Sequence, residues 1–407
     1  MKIKSILFGS LLMPLILSSQ TNVSRAYLGN DGEILSESYI TYDDFSSDRQ
    51  PSEILQMAGF PKKVPVHPNF KNFRNVTLAD INNDGKDEIL IPSMNTLRVF
   101  TYTGELLWSK LLTGTPIYPP SVSVMDGSGT LGIVQVTGGS PNNGRVYYLD
   151  VNGNDISGWP LTFSNHWIIC APVIADADND GTKEIIVQTR TSNNLHVLKT
   201  DGTVLWTATL GGTPAVTPSV ADIDSDGIKD IVTAISNGTM YAFNANDGTE
   251  KTGFPIPSNG YSFSYQSPLL ADLDGNGQLS IIGAAHGDAP EYFVRNSDGS
   301  YRTGWPVPVP GNDWTYAPPT VVDLTGNNNF SIFTSKPIGE DAAPMLFGYH
   351  PDATMMDNFP IVKSGGLEST ICVADITGDG NQDLIFGSNL MVDLKGFIHA
   401  YRTDGTG

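Results

Sequence analysis

The chain has 407 residues, of which 40% are apolar and 16% charged, and its 43 acidic and 23 basic residues give a formal net charge of −20. No basic cluster occurs beyond the first residues, so nucleic-acid binding through phosphate contacts is excluded and cations are the expected partners. The 42 Gly and 27 Pro residues argue against an all-helical protein. This length fits two or three domains or one large β-propeller.

The N-terminus has the pattern of a secretory signal peptide. Two lysines precede an apolar run from Ile6 to Leu17, which is too short to span a bilayer. We therefore predict a signal peptide over residues 1–26 and a flexible, acidic leader over residues 27–56. The chain is then secreted to the extracellular space or the periplasm, with no transmembrane segment after cleavage. A buried N-terminal strand or helix is the alternative.

The two cysteines, Cys170 and Cys372, do not have the spacing of a zinc site. We predict that both are small buried hydrophobic residues. One disulfide in an exported protein is the alternative.

An acidic pattern repeats along the rest of the chain. It has Asp, Asn or Thr at positions 1, 3 and 5, usually Gly at position 6, and an acidic residue at position 9. Copies recur every 44 to 52 residues, a period typical of repeat architectures. Four clear copies start at Asp80, Asp176, Asp222 and Asp375, two weaker ones at Asp272 and Asp323, and an eroded one at Val124.

Each copy is flanked by the signals of four short strands. A short strand leads into the acidic loop, an apolar strand leads out, an alternating strand ends in a Gly turn, and an aromatic–Pro pair such as Trp159–Pro160 often opens the fourth. Four antiparallel strands per copy make one propeller blade. We predict an all-β, seven-bladed β-propeller over residues 57–407. A solenoid would need capping units, which the sequence does not show.

The two ends of this region predict how the ring closes. The last copy stops at Gly407 without a fourth strand, and residues 54–64 form a strand signal that belongs to no copy. Pairing them removes two open sheet edges. We therefore expect the N-terminal strand to complete the last blade.

The acidic loops predict a calcium site in each strong copy. Side-chain oxygens at positions 1, 3, 5 and 9, with a backbone carbonyl at position 7, can surround a hard cation, and Ca²⁺ fits a set of oxygen ligands. The loops are not EF-hands, because position 12 lies in an apolar strand. Asp-rich turns without an ion are the alternative, and we prefer it for the Val124 copy. The predicted positions are Asp80, Asn82, Asp84, Lys86 and Glu88; Asp176, Asp178, Asp180, Thr182 and Glu184; Asp222, Asp224, Asp226, Ile228 and Asp230; Asp375, Thr377, Asp379, Asn381 and Asp383; and, as a weaker set, Asp272, Asp274 and Asn276.

The pattern resembles the FG-GAP/VCBS repeats of integrin α-chain head domains and of many secreted bacterial proteins. The resemblance covers residues 57–407 and implies calcium-binding loops on a seven-bladed propeller. The Phe-Gly and Gly-Ala-Pro signatures of that family are scarcely present here, so integrin-like detail does not transfer. The family includes adhesins, lectins and the scaffolds of polysaccharide-degrading enzymes, and membership alone does not specify a function.

A ligand is expected on the face opposite the acidic loops, where the segments before each first strand carry aromatic residues. Aromatic rings beside amides and acids can stack on sugar rings or anchor a protein partner. The predicted ligand-binding residues are Trp167, Tyr265, Trp314 and Tyr316, while Tyr118, Tyr261 and Phe263 occupy similar segments. Packing of these aromatics between blades is the alternative.

The sequence thus favours a secreted binding or adhesion module for carbohydrate or protein ligands. No nucleophile elbow, zinc-protease helix or phosphate loop occurs, and no catalytic residue is assigned. The alternative function is a polysaccharide-active lyase or hydrolase that uses His286, Glu291 or Glu340 on the rim. A purely structural scaffold is a third interpretation.

Overall fold

The computed structural model describes residues 20–28, 34–42, 60, 64–65 and 76–406, except 139–142, 265, 313–314, 316, 325–329, 337–342, 364–369 and 391–394. The chain divides into two units, Met1–Met57 and Ala58–Gly407. The described part of the first unit is an antiparallel hairpin of β1 (Gln20–Leu28) and β2 (Ile34–Tyr42), in which Gln20 pairs with Tyr42 and Leu28 with Ile34. This hairpin covers the end of the predicted signal peptide and part of the predicted leader, whose cleavage and flexibility stay predictions.

The described part of the second unit is all-β, apart from a short 3-10 turn at Pro310–Asn312. Its strands form seven antiparallel sheets in chain order. The first sheet contains β3 (Thr77–Ala79), β4 (Glu88–Ser93), β5 (Thr96–Phe100) and β6 (Leu106–Leu111). The second contains β7 (Ser121–Val124), β8 (Leu131–Thr137), β9 (Gly144–Leu149) and β10 (Leu161–Phe163). The third contains β11 (Val173–Ala175), β12 (Glu184–Thr189), β13 (Asn194–Leu198) and β14 (Val204–Thr209).

The remaining four sheets vary around the same plan. The fourth contains β15 (Ser219–Ala221), β16 (Asp230–Ala234) and β17 (Met240–Asn244). The fifth contains β18 (Tyr261–Ser262), β19 (Leu269–Ala271), β20 (Ser280–Gly287), β21 (Glu291–Arg295) and β22 (Val307–Pro308). The sixth contains β23 (Thr320–Asp323), β24 (Phe330–Ser335), β25 (Ala343–Tyr349) and β26 (Ile361–Lys363). The seventh contains β27 (Cys372–Ala374), β28 (Asp383–Leu390) and β29 (Lys395–Arg402).

The predicted position of the acidic loops is confirmed in the four strong copies. The loops starting at Asp80, Asp176, Asp222 and Asp375 each connect the first strand of a sheet to its apolar second strand. The aromatic–Pro pairs lie just before or within the outer part of four sheets, and all four peptide bonds are cis: Trp159–Pro160, Phe254–Pro255, Trp305–Pro306 and Phe359–Pro360.

The apolar core lies between neighbouring sheets, as expected for propeller packing. Between the first and second sheets, for example, Leu90 and Val99 pack with Ile133 and Leu149, and all four side chains are fully buried. Five further clusters repeat this arrangement along the described series, up to the contact of the sixth and seventh sheets. Successive side chains of a strand point to opposite faces, so the apolar second strands, such as β12, contribute buried side chains to both faces of their sheets.

Hydroxyl groups link the first strands of successive sheets. Thr77 Oγ1 donates to the carbonyl oxygen of Pro120 at 2.5 Å, and Ser121 Oγ donates to that of Pro172 at 2.6 Å. Similar bonds join Ser219 to Pro268 at 2.5 Å and Thr320 to Ile371 at 2.9 Å. These bonds hold the first strands side by side at the inner edge of the sheets.

The seventh sheet bears on the predicted closure. Within the described residues it has three strands, and Ile398 on its last strand, β29, is 86% exposed. Residues 54–59 and 61–63, which were predicted to add the fourth strand, lie outside the described residues. The closing strand therefore stays a prediction.

The cysteines are both free. Cys170 is buried as predicted, and burial raises the pKa of its thiol to about 12. The prediction was wrong for Cys372, which is exposed because it lies on β27, a strand whose burial alternates.

Candidate functional site

The residue at position 1 organises each acidic loop. In the Asp80 loop its carboxylate accepts the backbone N–H groups of positions 5 and 6, from Asp84 and Gly85, at 3.0 and 2.8 Å. The Asp222, Asp272 and Asp375 loops repeat this pair of bonds, at distances between 2.7 and 3.2 Å. In the Asp176 loop it accepts the N–H of position 6, from Gly181, at 3.2 Å, and the N–H of position 5 donates to Asp178 instead. Gly at position 6 has positive φ, for example +83° at Gly85, which explains the residue there.

The acidic residue at position 9 begins the second strand and is buried. In the four strong copies its carboxylate accepts the backbone N–H of position 2, at 2.8 to 3.1 Å. These residues are Glu88, Glu184, Asp230 and Asp383, and none is more than 3% exposed. The buried carboxylate at position 9 therefore lies at the base of each loop, and the other carboxylates of the loop lie around it.

Two loops gather three carboxylates into a set that can hold a metal ion. Asp176, Asp178 and Glu184 each place an oxygen within 4.8 Å of the others, and so do Asp222, Asp224 and Asp230. Asp176 Oδ1 is buried and has no hydrogen-bond partner among the described residues. The set at Asp176 offers only oxygen donors, which is the chemistry that a hard cation requires.

The pKa of Glu184, at the base of the Asp176 loop, is shifted from its ordinary value. Burial raises the pKa of Glu184 to about 6, and the negative charges of Asp178 and Asp180 act in the same direction. The backbone N–H of Ala177 and the ammonium of Lys199 oppose the shift. An ionised Glu184 is therefore costly unless a cation lies nearby.

A lysine enters the Asp222 set. Lys251 Nζ lies 2.7 Å from Asp224 Oδ2, 3.0 Å from Asp230 Oδ1 and 3.4 Å from Asp226 Oδ2. Burial by itself lowers the pKa of Lys251, but the hydrogen bonds and charges of Asp224 and Asp230 outweigh burial and raise it. The amine of Lys251 is therefore held in its charged form by these carboxylates.

Basic residues also approach three other loops. Lys199 Nζ lies 3.1 Å from Asp178 Oδ2, and Arg302 makes a bidentate pair with Asp274 at 2.7 and 2.8 Å. Arg402 pairs with Asp379, whose pKa falls to about 2 through the backbone N–H of Asn381 and then through this arginine. These basic residues were not predicted as partners of the loops, although each lies within three residues of the Gly that closes the turn after a third strand.

In the Asp80 loop the nearby basic residue contacts a tyrosine and not a carboxylate of the loop. Lys86, at position 7, donates to Tyr102 Oη at 2.8 Å instead of a loop carboxylate. Asn82 uses its amide to donate to Glu88 Oε1 at 3.0 Å, and its Oδ1 accepts the N–H of Asp84. The positions predicted as ligands are close together here, but their carboxylates do not form one of the two groups within 4.8 Å.

The remaining predicted ligand positions lie in their loops but do not form a further group of three close carboxylates among the described residues. In the last loop, Thr377 Oγ1 donates weakly to Asp375 Oδ1 at 3.4 Å. At position 7, the backbone N–H groups of Thr182, Ile228 and Asn381 donate to the position 5 carboxylates, at 2.7 to 2.9 Å, and ligation by their carbonyl groups stays a prediction. The same bond joins Gln278 to Asn276. The Asp323 loop lies largely outside the described residues.

The opposite end of the third sheet carries a surface depression. Its volume is about 480 Å³, and its walls are Trp167, Arg190, Thr191, Asn193 and Thr213. The backbone N–H of Arg190 donates to the carbonyl of Trp167 at 2.8 Å, which ties the segment before β11 to the β12–β13 turn. Strand β12 separates this depression from the Asp176 loop by its six residues, or about 20 Å.

The predicted aromatic residues divide between surface and core. Trp167 is half-buried and lines the depression. Tyr118, Tyr261 and Phe263 are buried in the clusters between sheets, so the packing alternative is confirmed for them. Tyr265, Trp314 and Tyr316 lie outside the described residues. Arg190 was missed, because a lone basic residue in a turn gives no signal in a single sequence.

The candidate catalytic residues do not form a described cleft. His286 and Glu291 are 6% and 7% exposed, and Tyr301 Oη donates to Glu291 Oε1 at 2.6 Å. Arg295 lies over the Tyr301 ring at 3.7 Å and donates to Tyr261 Oη at 3.2 Å. These contacts pair Glu291 with Tyr301 and hold Arg295 between Tyr261 and Tyr301 inside the fifth sheet. Glu340 lies outside the described residues.

Family models match two parts of the chain. An FG-GAP-like repeat matches residues 176–233 and 222–283, and a lambda-carrageenase β-propeller domain matches residues 69–160. No curated protein matches the chain. The matched segments contain the Asp80, Asp176 and Asp222 loops described above.

Solved structures show the fold. A europium-containing methanol dehydrogenase superposes with a TM-score of 0.55 at 12% identity, covering 93% of this chain and 82% of that one. BamB from Moraxella catarrhalis gives 0.46 at 16% identity, with coverages of 81% and 82%. The V. cholerae biofilm matrix protein Bap1 gives 0.38 at 14% identity, with coverages of 86% and 84%. At these identities the first similarity supports the propeller scaffold alone.

No helix among the described residues is long and apolar enough to cross a membrane. The resemblance predicted from the acidic loops is confirmed by the family models. Residues 176–283 of the chain therefore carry FG-GAP-like repeats.

Proposed function

We propose that this chain is a secreted, seven-bladed, calcium-binding β-propeller that acts as a carbohydrate-binding module. The seven sheets are its blades, and residues 54–64 complete the last one. Calcium holds the loops at one end of the sheets. The ligand binds at the other end, around Trp167.

Support for calcium comes from the Asp176 loop. Its three carboxylates lie within 4.8 Å of one another, and the buried Asp176 Oδ1 has no partner among the described residues. A cation there would be held by Asp176, Asp178 and Glu184 and would neutralise charges that otherwise repel each other. Its role is structural, because binding to the folded state alone stabilises that state.

The depression beside Trp167 is the observation on which the binding function rests. An aromatic ring, a guanidinium group and amide and hydroxyl groups from two adjoining sheets line one shallow, open site. Aromatic rings stack on the apolar faces of sugars, while Arg190 and Asn193 can donate hydrogen bonds to hydroxyl or acidic groups. The match to a propeller domain of a lambda-carrageenase, a protein named for a polysaccharide, supports a sugar chain as ligand.

A glycan array that includes carrageenan oligosaccharides tests the binding function. We expect the calcium-loaded protein to bind a polysaccharide, and Trp167→Ala to lose at least tenfold in affinity. Tyr102→Ala is the matched control, because Tyr102 is an exposed aromatic residue that contacts Lys86 at the loop end of the first sheet. Equal losses in both variants, or none in either, would contradict a site at Trp167.

The carrageenase match also favours a second candidate, a polysaccharide-active enzyme built on the propeller. A reducing-sugar assay on carrageenan, with purified full-length protein, tests it directly. Release of reducing ends that survives Trp167→Ala would place the chemistry elsewhere in the chain.

A further inference from the structure

We propose that the ammonium group of Lys251 replaces calcium in the Asp222 loop, so that this loop is closed by an internal ion-pair cluster and binds no metal. The inference rests on the proposed calcium function of the family loops and distinguishes the Asp222 loop from the Asp176 loop. The family predicts a cation at each strong loop, and here the chain supplies its own.

The position of the ammonium carries the inference. Its three carboxylate contacts, at 2.7, 3.0 and 3.4 Å, involve positions 3, 9 and 5 of the loop. These are three of the four side-chain positions predicted to bind calcium. Asp230, at position 9, is fully buried, and its Oδ1 forms an ion pair with Lys251 Nζ at 3.0 Å.

The lysine is fixed in this position by its backbone. Lys251 N–H donates to the carbonyl of Ala242 at 2.9 Å, and its own carbonyl accepts the N–H of Phe254 at 3.1 Å. The side chain is only 9% exposed. A calcium ion within 2.3–2.6 Å of the same oxygens would lie close to the ammonium, and the two positive charges would repel each other. Calcium binding would therefore require Lys251 to leave its buried position.

The Asp176 loop shows the contrast. Its lysine, Lys199, has a side chain that is 36% exposed, and it contacts Asp178 at 3.1 Å and Asp180 at 3.9 Å. Neither contact is to Glu184 at position 9, whereas Lys251 lies 3.0 Å from the corresponding Asp230. A flexible, exposed lysine can move aside for an ion, whereas a buried one bonded to the base of the loop cannot do so without loss of three contacts.

The test counts calcium ions per chain. Isothermal titration calorimetry and native mass spectrometry on the full chain give the number bound by the wild-type protein. Lys251→Met should bind one ion more than the wild type, because the freed carboxylates form a set like that at Asp176. Lys199→Met is the matched control and should leave the number unchanged. An unchanged number in a folded Lys251→Met variant would overturn the proposal.

A second variant decides the matter if Lys251→Met does not fold. Asp224→Asn removes a carboxylate that a calcium ion in this loop would need. Because the proposal holds that the loop binds no calcium in the wild type, the variant should bind the same number of ions. A loss of one ion would overturn the proposal. Asp178→Asn should lose one ion. If the wild type binds none and Lys251→Met binds one, the calcium function fails while the assignment of Lys251 stands.

Discussion

Glu184→Gln is expected to change the stability of the protein in opposite directions with and without calcium. Glu184 is 1% exposed, and its pKa in the folded metal-free protein is about 6, against 4.5 for an ordinary glutamate. Because the folded-state pKa is raised, the protonated form favours folding. The stability of the metal-free protein therefore falls as the pH rises from about 4.5 to above 6, by about 2 kcal/mol in total.

Gln removes this charge and keeps an amide oxygen to accept the N–H of Ala177, a bond of 2.8 Å in the wild type. In EDTA at pH 8, the variant should therefore be more stable than the wild type by about 2 kcal/mol. In calcium at 1,000 times the dissociation constant, the wild type gains about 4.1 kcal/mol per site. If the variant loses that site, it is then less stable than the wild type by about 2 kcal/mol.

Urea unfolding followed by tryptophan fluorescence, in EDTA and in calcium, measures both differences. Asp126→Asn is the control, because Asp126 is an exposed residue of the eroded Val124 copy, and the change there should stay within about 0.5 kcal/mol in both buffers. If Glu184→Gln destabilises the protein equally in EDTA and in calcium, Glu184 is a structural cap and not a metal ligand.

Three other predictions concern the strand that closes the last blade, the role of Trp167 on the ligand face, and the space beside two glycines. Deleting residues 27–50 should leave the melting temperature of the propeller nearly unchanged, whereas deleting through Pro65 should lower it strongly, since an edge is exposed; equal melting temperatures would refute the shared blade. Trp167→Ala should leave the melting temperature within about 2 °C, and unfolding of this variant would show that Trp167 is core. Gly253→Ala should cost more than about 2 kcal/mol in urea unfolding, because its Cβ would clash with the Asp298 carbonyl; Gly181→Ala, with open space and the same positive φ, should cost about 1 kcal/mol.

Local chemistry explains what the sequence predicted well. The acidic loops depend on bonds between residues at most nine positions apart, such as Gly85 to Asp80, so their pattern is complete within each copy. The second strands follow from consecutive apolar residues, such as Ile185, Ile186 and Val187 on β12. Both the loops and these strands are specified by residues close together in the sequence, and the structure has them at the predicted positions.

Contacts between distant residues explain what was missed. Lys251 lies 21 residues beyond Asp230, and only the return of the chain after β17 brings it into the loop. The burial of Tyr261 and Phe263 likewise depends on β18, which pairs with the far end of β20. In the fourth sheet the predicted outer strand is reduced to a single bridge, between Met240 and Ile256. No pattern within one repeat contains this information.

The hydroxyl bonds between first strands, from Thr77 to Pro120 and onward to the bond between Thr320 and Ile371, have a consequence for how the chain could evolve. Four of the seven sheets satisfy a carbonyl group of the next sheet in this way, so their repeats are not self-contained units. Excising one repeat would leave a donor and an acceptor to find new partners across the cut, together with two unmatched apolar faces. Duplication or loss of a repeat is therefore easiest when both breaks fall inside acidic loops. The first half of one loop then joins the second half of another, and the contacts between sheets are preserved.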